Sequence, residues 1–283
     1  MTTIIDTHTH VVAADHERYP ITPPPGLARM SWFDEHPVDA AGLLADMDKA
    51  GVYGAVLVQA KGAYAFDNSY AADARATDPA RLTNASIIDM EAPDRIERLT
   101  YWATERGMLG TRLFNIPPAS PPWMDDPATR AVLDRVRELD IRVNLCVLED
   151  DLPLAGALAD LAPDVTIALD HCGFADLSGT APYPKAGALF ALAPHANLRF
   201  KVTTTLLEPA LHGGGDPRDL LEHLAEVFGI DRLLWGSDYP QHHREPYTDI
   251  VDLARYACSR LSEHEQAQFL GANALALYPE LTP

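Results

Sequence analysis

Short apolar runs rich in β-branched residues recur along the chain, each followed by a stretch with the apolar spacing of a helix. The runs are Thr3–Asp6, Ala55–Gln59, Thr83–Ile88, Gly110–Phe114, Arg142–Cys146, Thr166–Asp170, Leu198–Val202 and Leu233–Gly236. Strands that alternate with helices predict a parallel sheet, and eight of them fit a distorted (β/α)8 TIM barrel of the α/β class. The predicted helices are Asp39–Ala50, with Leu43, Leu44 and Met47 on one face, Pro93–Arg106, Pro127–Leu139, Leu152–Leu161, Ala186–Ala193, Asp216–Phe228 and Tyr247–Ala257. A terminal helix, Ser262–Leu270 followed by Gly271–Leu277, closes the pattern, and Ser262 with Glu265 reads as a capping box.

Two connections exceed what a minimal barrel needs. Val11–Pro37 carries Pro20, Pro23, Pro24, Pro25 and Pro37, and Asn115–Asp126 carries Pro117, Pro118, Pro121 and Pro122. Both follow predicted strands, so both are expected at the C-terminal face of the barrel, as walls or lids of a pocket. Neither reads as a domain linker. The 283 residues are therefore expected to form one barrel domain, 1–283.

Composition narrows the function. The hydrophobic share of 47% supports a large buried core. A formal net charge of -19 argues against nucleic acid, which demands clustered Lys and Arg. An anionic substrate would need a locally positive pocket within this acidic molecule. Cys146, Cys172 and Cys258 are odd in number and far apart, so neither a disulfide framework nor a zinc finger is indicated. The opening MTTIIDTHTH has no signal-peptide pattern, and no apolar run reaches membrane-spanning length. A cytoplasmic protein without a membrane partner, open to homo-oligomerisation, is expected.

The chemistry gathers at strand ends. In Asp6-Thr7-His8-Thr9-His10, residues two apart in extended chain project to the same side, so His8 and His10 can aim at one point, as ligands of a shared metal do. Two surface histidines at a strand end would give the same letters. Further along, Asp170-His171-Cys172-Gly173 and Trp235-Gly236-Ser237-Asp238-Tyr239-Pro240 end two other predicted strands. Imidazole and carboxylate suit a catalytic Zn2+ that keeps one position open for water. Taken singly, His171 also reads as a satisfied buried histidine and Asp238 as a turn residue. Their joint placement at strand ends is what favours a common site.

These motifs resemble the amidohydrolase superfamily, in the lactonase branch of 2-pyrone-4,6-dicarboxylate lactonase, 4-sulfomuconolactone hydrolase and L-fuconolactonase. Met47–Val52, Val58-Gln59, Phe66–Tyr70 and Gly110–Asn115 match the same branch, and the resemblance covers nearly the whole chain. It implies that His8, His10 and His171 hold a metal or substrate oxygens, that Asp238 is the base that activates water, and that Arg112 pairs with a substrate carboxylate or sulfonate. A guanidinium at a strand end suits that grip in its own right. One departure stands out: a fourth histidine of many metal-dependent members is missing, and Phe200-Lys201-Val202 occupies its place. Metal dependence is accordingly open, with Zn2+ or Mn2+ as the expected ion and a metal-free mechanism as the alternative.

Lys201 is expected to neutralise an anionic substrate or a developing oxyanion. Gln59 and Asn68 are candidate hydrogen-bond donors to substrate, and His242, ahead of His243, a candidate at the pocket mouth. Trp32, Tyr64 and Trp123 are candidate pocket walls. The expected activity is hydrolysis of a small lactone bearing a carboxylate or sulfonate, with Asp238, His171 and His10 as the catalytic residues. The alternatives are a metal-dependent decarboxylase of an aromatic or muconate-type acid, a sugar-lactone isomerase and a non-catalytic binding protein.

Overall fold

The computed structural model describes residues 2–24, 32–116, 123 and 126–283. Eight parallel strands follow one another in sequence order: β1 (Ile5–Thr9), β2 (Gly54–Val58), β3 (Leu82–Ile87), β4 (Gly110–Asn115), β5 (Arg142–Val147), β6 (Ile167–Leu169), β7 (Leu198–Thr203) and β8 (Leu233–Gly236). The sheet closes where the chain just beyond β8 meets β1: the Asp238 amide donates to the His8 carbonyl and the His10 amide to the Tyr239 carbonyl, both at 2.8 Å. The result is a single (β/α)8 TIM barrel, as the apolar periodicity predicts.

Side-chain alternation sorts the strands into two apolar layers. Leu57, Leu113, Leu145 and Val202 join the outer core under the helices, together with Leu43 and Met47, the predicted apolar face of Ala40–Ala50. Ile5, Val56, Val58, Ala168 and Leu234 pack instead with Ala274, Tyr278 and Leu281. The C-terminal segment thus seals the end of the barrel opposite the strand C-termini. Gly271 permits that approach, since a Cβ there would lie 2.1 Å from the Thr3 carbonyl oxygen. Aspartates cap three major helices: Asp39 accepts from Gly42 N, Asp126 from Ala128 N and Asp216 from Arg218 N. The Ser262–Glu265 capping box is present as predicted.

Several boundaries differ from the sequence expectation. The first strand is Ile5–Thr9 rather than Thr3–Asp6, because its threonines satisfy neighbouring strands: Thr7 Oγ1 donates to Trp235 O and Thr9 Oγ1 to Val56 O. The sixth is shorter than Thr166–Asp170, since the chain turns sharply at Asp170. The helix expected over Ala186–Ala193 spans only Gly187–Phe190. Helices Lys61–Tyr64, Ser69–Arg75 and Thr204–His212 arise in stretches read as connections. Among the described residues no helix is long and apolar enough to cross a membrane. Of the two proline-rich connections, Pro25, Pro117, Pro118, Pro121 and Pro122 lie outside the described residues.

Candidate active site

The closing seam is what assembles the site. Asp6 lies fully buried beneath it, accepting from the amides of His8 (3.0 Å) and Ser237 (2.9 Å) on one oxygen and from the Tyr247 hydroxyl (2.8 Å) on the other. Burial lifts its carboxyl to about 6 against these donors. A register irregularity in β1 between Asp6 and Thr9 falls at His8, and Gly236 leaves room for it, since a Cβ there would stand 2.8 Å from the His8 Cβ. The first and last motifs of the chain are thereby brought side by side.

Three ligand-type atoms converge there. His10 Nε2 is 3.2 Å and His8 Nε2 3.7 Å from Asp238 Oδ1, and one atom from each residue lies within 4.8 Å of both others. His10 Nδ1 sits 2.7 Å from the Val58 carbonyl, which can only accept, so Nδ1 carries a proton and Nε2 is turned toward Asp238. His8 Nε2 and Asp238 Oδ1 are buried and have no hydrogen-bond partner. Orphaned atoms of this kind are costly unless something binds them. The two nitrogen–oxygen distances bracket the ~3.4 Å that separates ligands held at about 2.1 Å in a tetrahedron, so the donor set fits a divalent cation.

His171 joins the cluster from β6, its ring centroid 4.6 Å from that of His8 and its Nδ1 2.9 Å from Thr203 Oγ1. It lies outside the tight triplet of His8, His10 and Asp238. The chain reaches it through a left-handed turn, with φ of 53° at His171, 48° at Cys172, 66° at Gly173 and 54° at Phe174. Left-handed backbone costs about 1–2 kcal/mol at each non-glycine residue. Asp238 has φ 60°, so both site residues that follow β6 and β8 sit in strained backbone, as functional residues often do.

Burial lowers His8 well below the usual imidazole range and His171 to about 4, so both rings are neutral at pH 7. Burial also works to raise Asp238, but the neighbouring His171, His10 and His8 outweigh it and hold this carboxylate below its usual range. Gln241 Nε2 donates to Asp238 Oδ2 at 3.1 Å.

Across the mouth lies a second buried carboxylate, Asp170, which sequence reasoning passes over although it precedes His171 directly. It receives Arg112 Nε at 2.7 Å and Lys201 Nζ at 3.0 Å, and faces His8 Nδ1 at 3.3 Å. Burial pushes Asp170 up, while Lys201, His8 and Arg112 drive it well below the ordinary range. Lys201 is fully buried and also 3.5 Å from His8 Nδ1. The sequence signal for Asp170 is slight, an acid directly before His171, because its partners come from β4 and β7 and meet it only in the folded barrel.

The other candidates are placed as follows. Gln59 Nε2 donates to the Ala65 and Asp67 carbonyls, and Asn68 exchanges hydrogen bonds with Ile87, so both amides brace the connection after β2. His242 borders the site, with Nε2 3.1 Å from Thr205 Oγ1 and 3.9 Å from Asp238 Oδ2. It also lines a separate cavity of about 220 Å³ with Leu211, Ile250 and Leu253. His243 turns away toward Glu35, at 3.3 Å. Trp32 packs against His10 with ring centroids 5.7 Å apart, and the Tyr64 hydroxyl accepts from the Ala13 amide. Trp123 Nε1 donates to the Phe114 carbonyl.

A family model described as Amidohydrolase matches residues 5–279. The chain belongs to the amidohydrolase family. This amidohydrolase is similar to an L-fucono-1,5-lactonase from Burkholderia ambifaria, 26% identical over 290 residues, with 98% of this chain and 96% of that one covered. The same fold recurs in a probable 2-pyrone-4,6-dicarboxylic acid hydrolase from Acinetobacter baumannii with citric acid bound (TM-score 0.76, 20% identity, 99% and 100% of the chains covered). It recurs also in an amidohydrolase from Burkholderia multivorans with bound zinc (TM-score 0.76, 21% identity, 98% and 99% covered).

Proposed function

We propose that this amidohydrolase opens a small lactone carrying a carboxylate or sulfonate, by attack of a water whose proton passes to Asp238. The observation that carries the reading is the pair of orphaned buried atoms, His8 Nε2 and Asp238 Oδ1, facing His10 Nε2 at the mouth of the barrel. Hydrolysis needs a base beside a water, and Asp238 is the ionised acceptor there. As the water oxygen bonds to the lactone carbonyl carbon, its proton moves to Asp238; the ring C–O bond then breaks, and the departing ring oxygen takes that proton. His171, neutral and adjacent, suits hydrogen bonding to the carbonyl oxygen as charge grows on it. Arg112 would hold the anionic group with the part of its guanidinium not given to Asp170.

His8, His10 and Asp238, with His171 beside them, would hold Zn2+ or Mn2+. What such an ion supplies when bound is a water acid enough to yield a proton to so weak a base as Asp238. The zinc-bound relative favours this form of the reading. The test is to strip the protein of metal, reconstitute it with Zn2+ or Mn2+ and incubate it with a panel of anionic lactones in heavy-oxygen water. Label in the product acid is expected. Full activity in the stripped protein would remove the metal and keep the hydrolysis, whereas an unlabelled isomer, released CO2 or no turnover at all would overturn it.

A further inference from the structure

Lys61 lies just beyond β2, at the end of the barrel where the candidate site opens, and begins the helix Lys61–Tyr64. Its side chain is almost wholly buried, with 6% of the residue exposed. The other lysines of the chain each meet a carboxylate: Lys49 meets Asp46 and Lys185 meets Asp176 at 2.9 Å, and Lys201 meets Asp170 at 3.0 Å. Lys61 forms no such ion pair among the described residues. Its Nζ stands instead 3.8 Å from the ring centroid of Phe114 and 5.1 Å from that of Phe66. Arg112 approaches the same Phe114 ring, its Cζ 5.2 Å from the centroid.

Two cations flanking one half-buried ring are an unusual arrangement in a chain of net charge -19. Aromatic faces offset only part of the cost of a buried ammonium, less than a paired carboxylate would. Burial, and then the nearby Arg112, lower Lys61 to about 8, so the ammonium persists at neutral pH in surroundings that an anion would relieve. The contacts Asp170–Arg112, Arg112–Phe114 and Phe114–Lys61 link Lys61 in series to the His/Asp cluster. Lys201, bound to Asp170 and without exposed surface, is far less free to meet a ligand.

We infer that Lys61, with the Phe114 ring as its platform and Arg112 as second cation, seats the anionic group of the substrate and is the residue by which this site selects anionic over neutral lactones. For its substrate the inference rests on the lactone-hydrolase reading; for anion binding it stands alone. The test compares wild type, Lys61→Met and Lys61→Arg on a neutral sugar lactone and its carboxylate-bearing analogue. A lost charge-assisted contact is expected to lower kcat/KM for the anionic lactone at least about tenfold in Lys61→Met, mainly through KM. The neutral lactone should change by less than about twofold, and Lys61→Arg should keep most of the preference. Equal losses on both lactones, or none on either, overturn the inference. If wild type opens no lactone, the hydrolase reading has failed on its own, and citrate titrated calorimetrically into wild type and Lys61→Met still decides the anion site. Binding weakened about tenfold by the substitution supports it; equal binding, or none by wild type, overturns it.

Discussion

The two buried aspartates of the barrel mouth are the same residue type at equivalent places, yet their surroundings give them opposite tasks. Asp170, after β6, is answered by two buried basic side chains, Arg112 and Lys201, and its charge is engaged in holding them. Asp238, after β8, faces imidazoles, of which His8 and His171 are neutral, and no lysine or arginine pairs with it among the described residues. His8 touches both, with Nδ1 toward Asp170 and Nε2 toward Asp238. A carboxylate matched by basic side chains beside one that faces neutral rings is how a fold can separate scaffold from reactive group, the assignment proposed here. Pairing sets the task, since both residues are equally buried.

The sharpest way to break this contrast is to neutralise each carboxylate in turn. Asp238→Asn keeps the shape and removes the proposed base, so kcat/KM on the best lactone should fall about 10³- to 10⁴-fold with little loss of stability. Retention of a tenth of the activity would show that Asp238 is not the proton acceptor. Asp170→Ala should do the reverse in kind: with Lys201 and Arg112 left buried and unpaired, unfolding in urea should reveal a loss of about 3–5 kcal/mol. Adding Lys201→Met should restore part of it, because the partners are coupled. A stable Asp170→Ala protein would mean that the ion network is not scaffold.

The same difference explains what the sequence disclosed. Eight strands and most helices are legible because apolar spacing reports burial directly, and the candidate site residues stand out because histidines and acids gather at the ends of several predicted strands. Asp170 stayed hidden because its meaning lies in Arg112 and Lys201, contributed by β4 and β7. Lys61 is concealed for the opposite reason: its feature is a missing partner, which no string of letters displays. The apolar pattern ends the first strand at Asp6, whereas Thr7 and Thr9 carry it on through cross-strand hydrogen bonds that polar letters do not announce. The turn at His171 was invisible too, since only Gly173 hints at left-handed backbone.

That turn gives a smaller, sharper probe. Gly173 has φ 66°, and a Cβ on it would fall 2.3 Å from Leu152 Cδ2. Gly173→Ala combines left-handed strain with overpacking and should cost about 2–4 kcal/mol. Displacement of His171 should also lower kcat, while citrate affinity at Lys61 stays unchanged. If activity is lost only in proportion to unfolded protein, the turn is a packing device and His171 needs no fine placement.

The smallest effect tests whether the anion seat is separable from both aspartates. Lys61 faces Arg112 from β4, Cys146 from β5, and Asp89 and Glu91 from the connection after β3; burial, then Arg112, bring its ammonium to about 8. Cys146, raised by burial to about 12, stays a neutral thiol through this range. The cation is therefore present below pH 8 and lost above it. KM for the anionic lactone should be flat up to about pH 7 and rise up to about tenfold toward pH 9 as the amine empties. KM for the neutral lactone, measured on the same protein with the uncatalysed rate subtracted, should not follow. A bound carboxylate raises the pKa of its ammonium, so kcat, which reports the occupied site, should hold to higher pH than kcat/KM does. A rise common to both lactones would place the titrating group beside Asp238 instead of at Lys61, and the separation of seat from chemistry would fail.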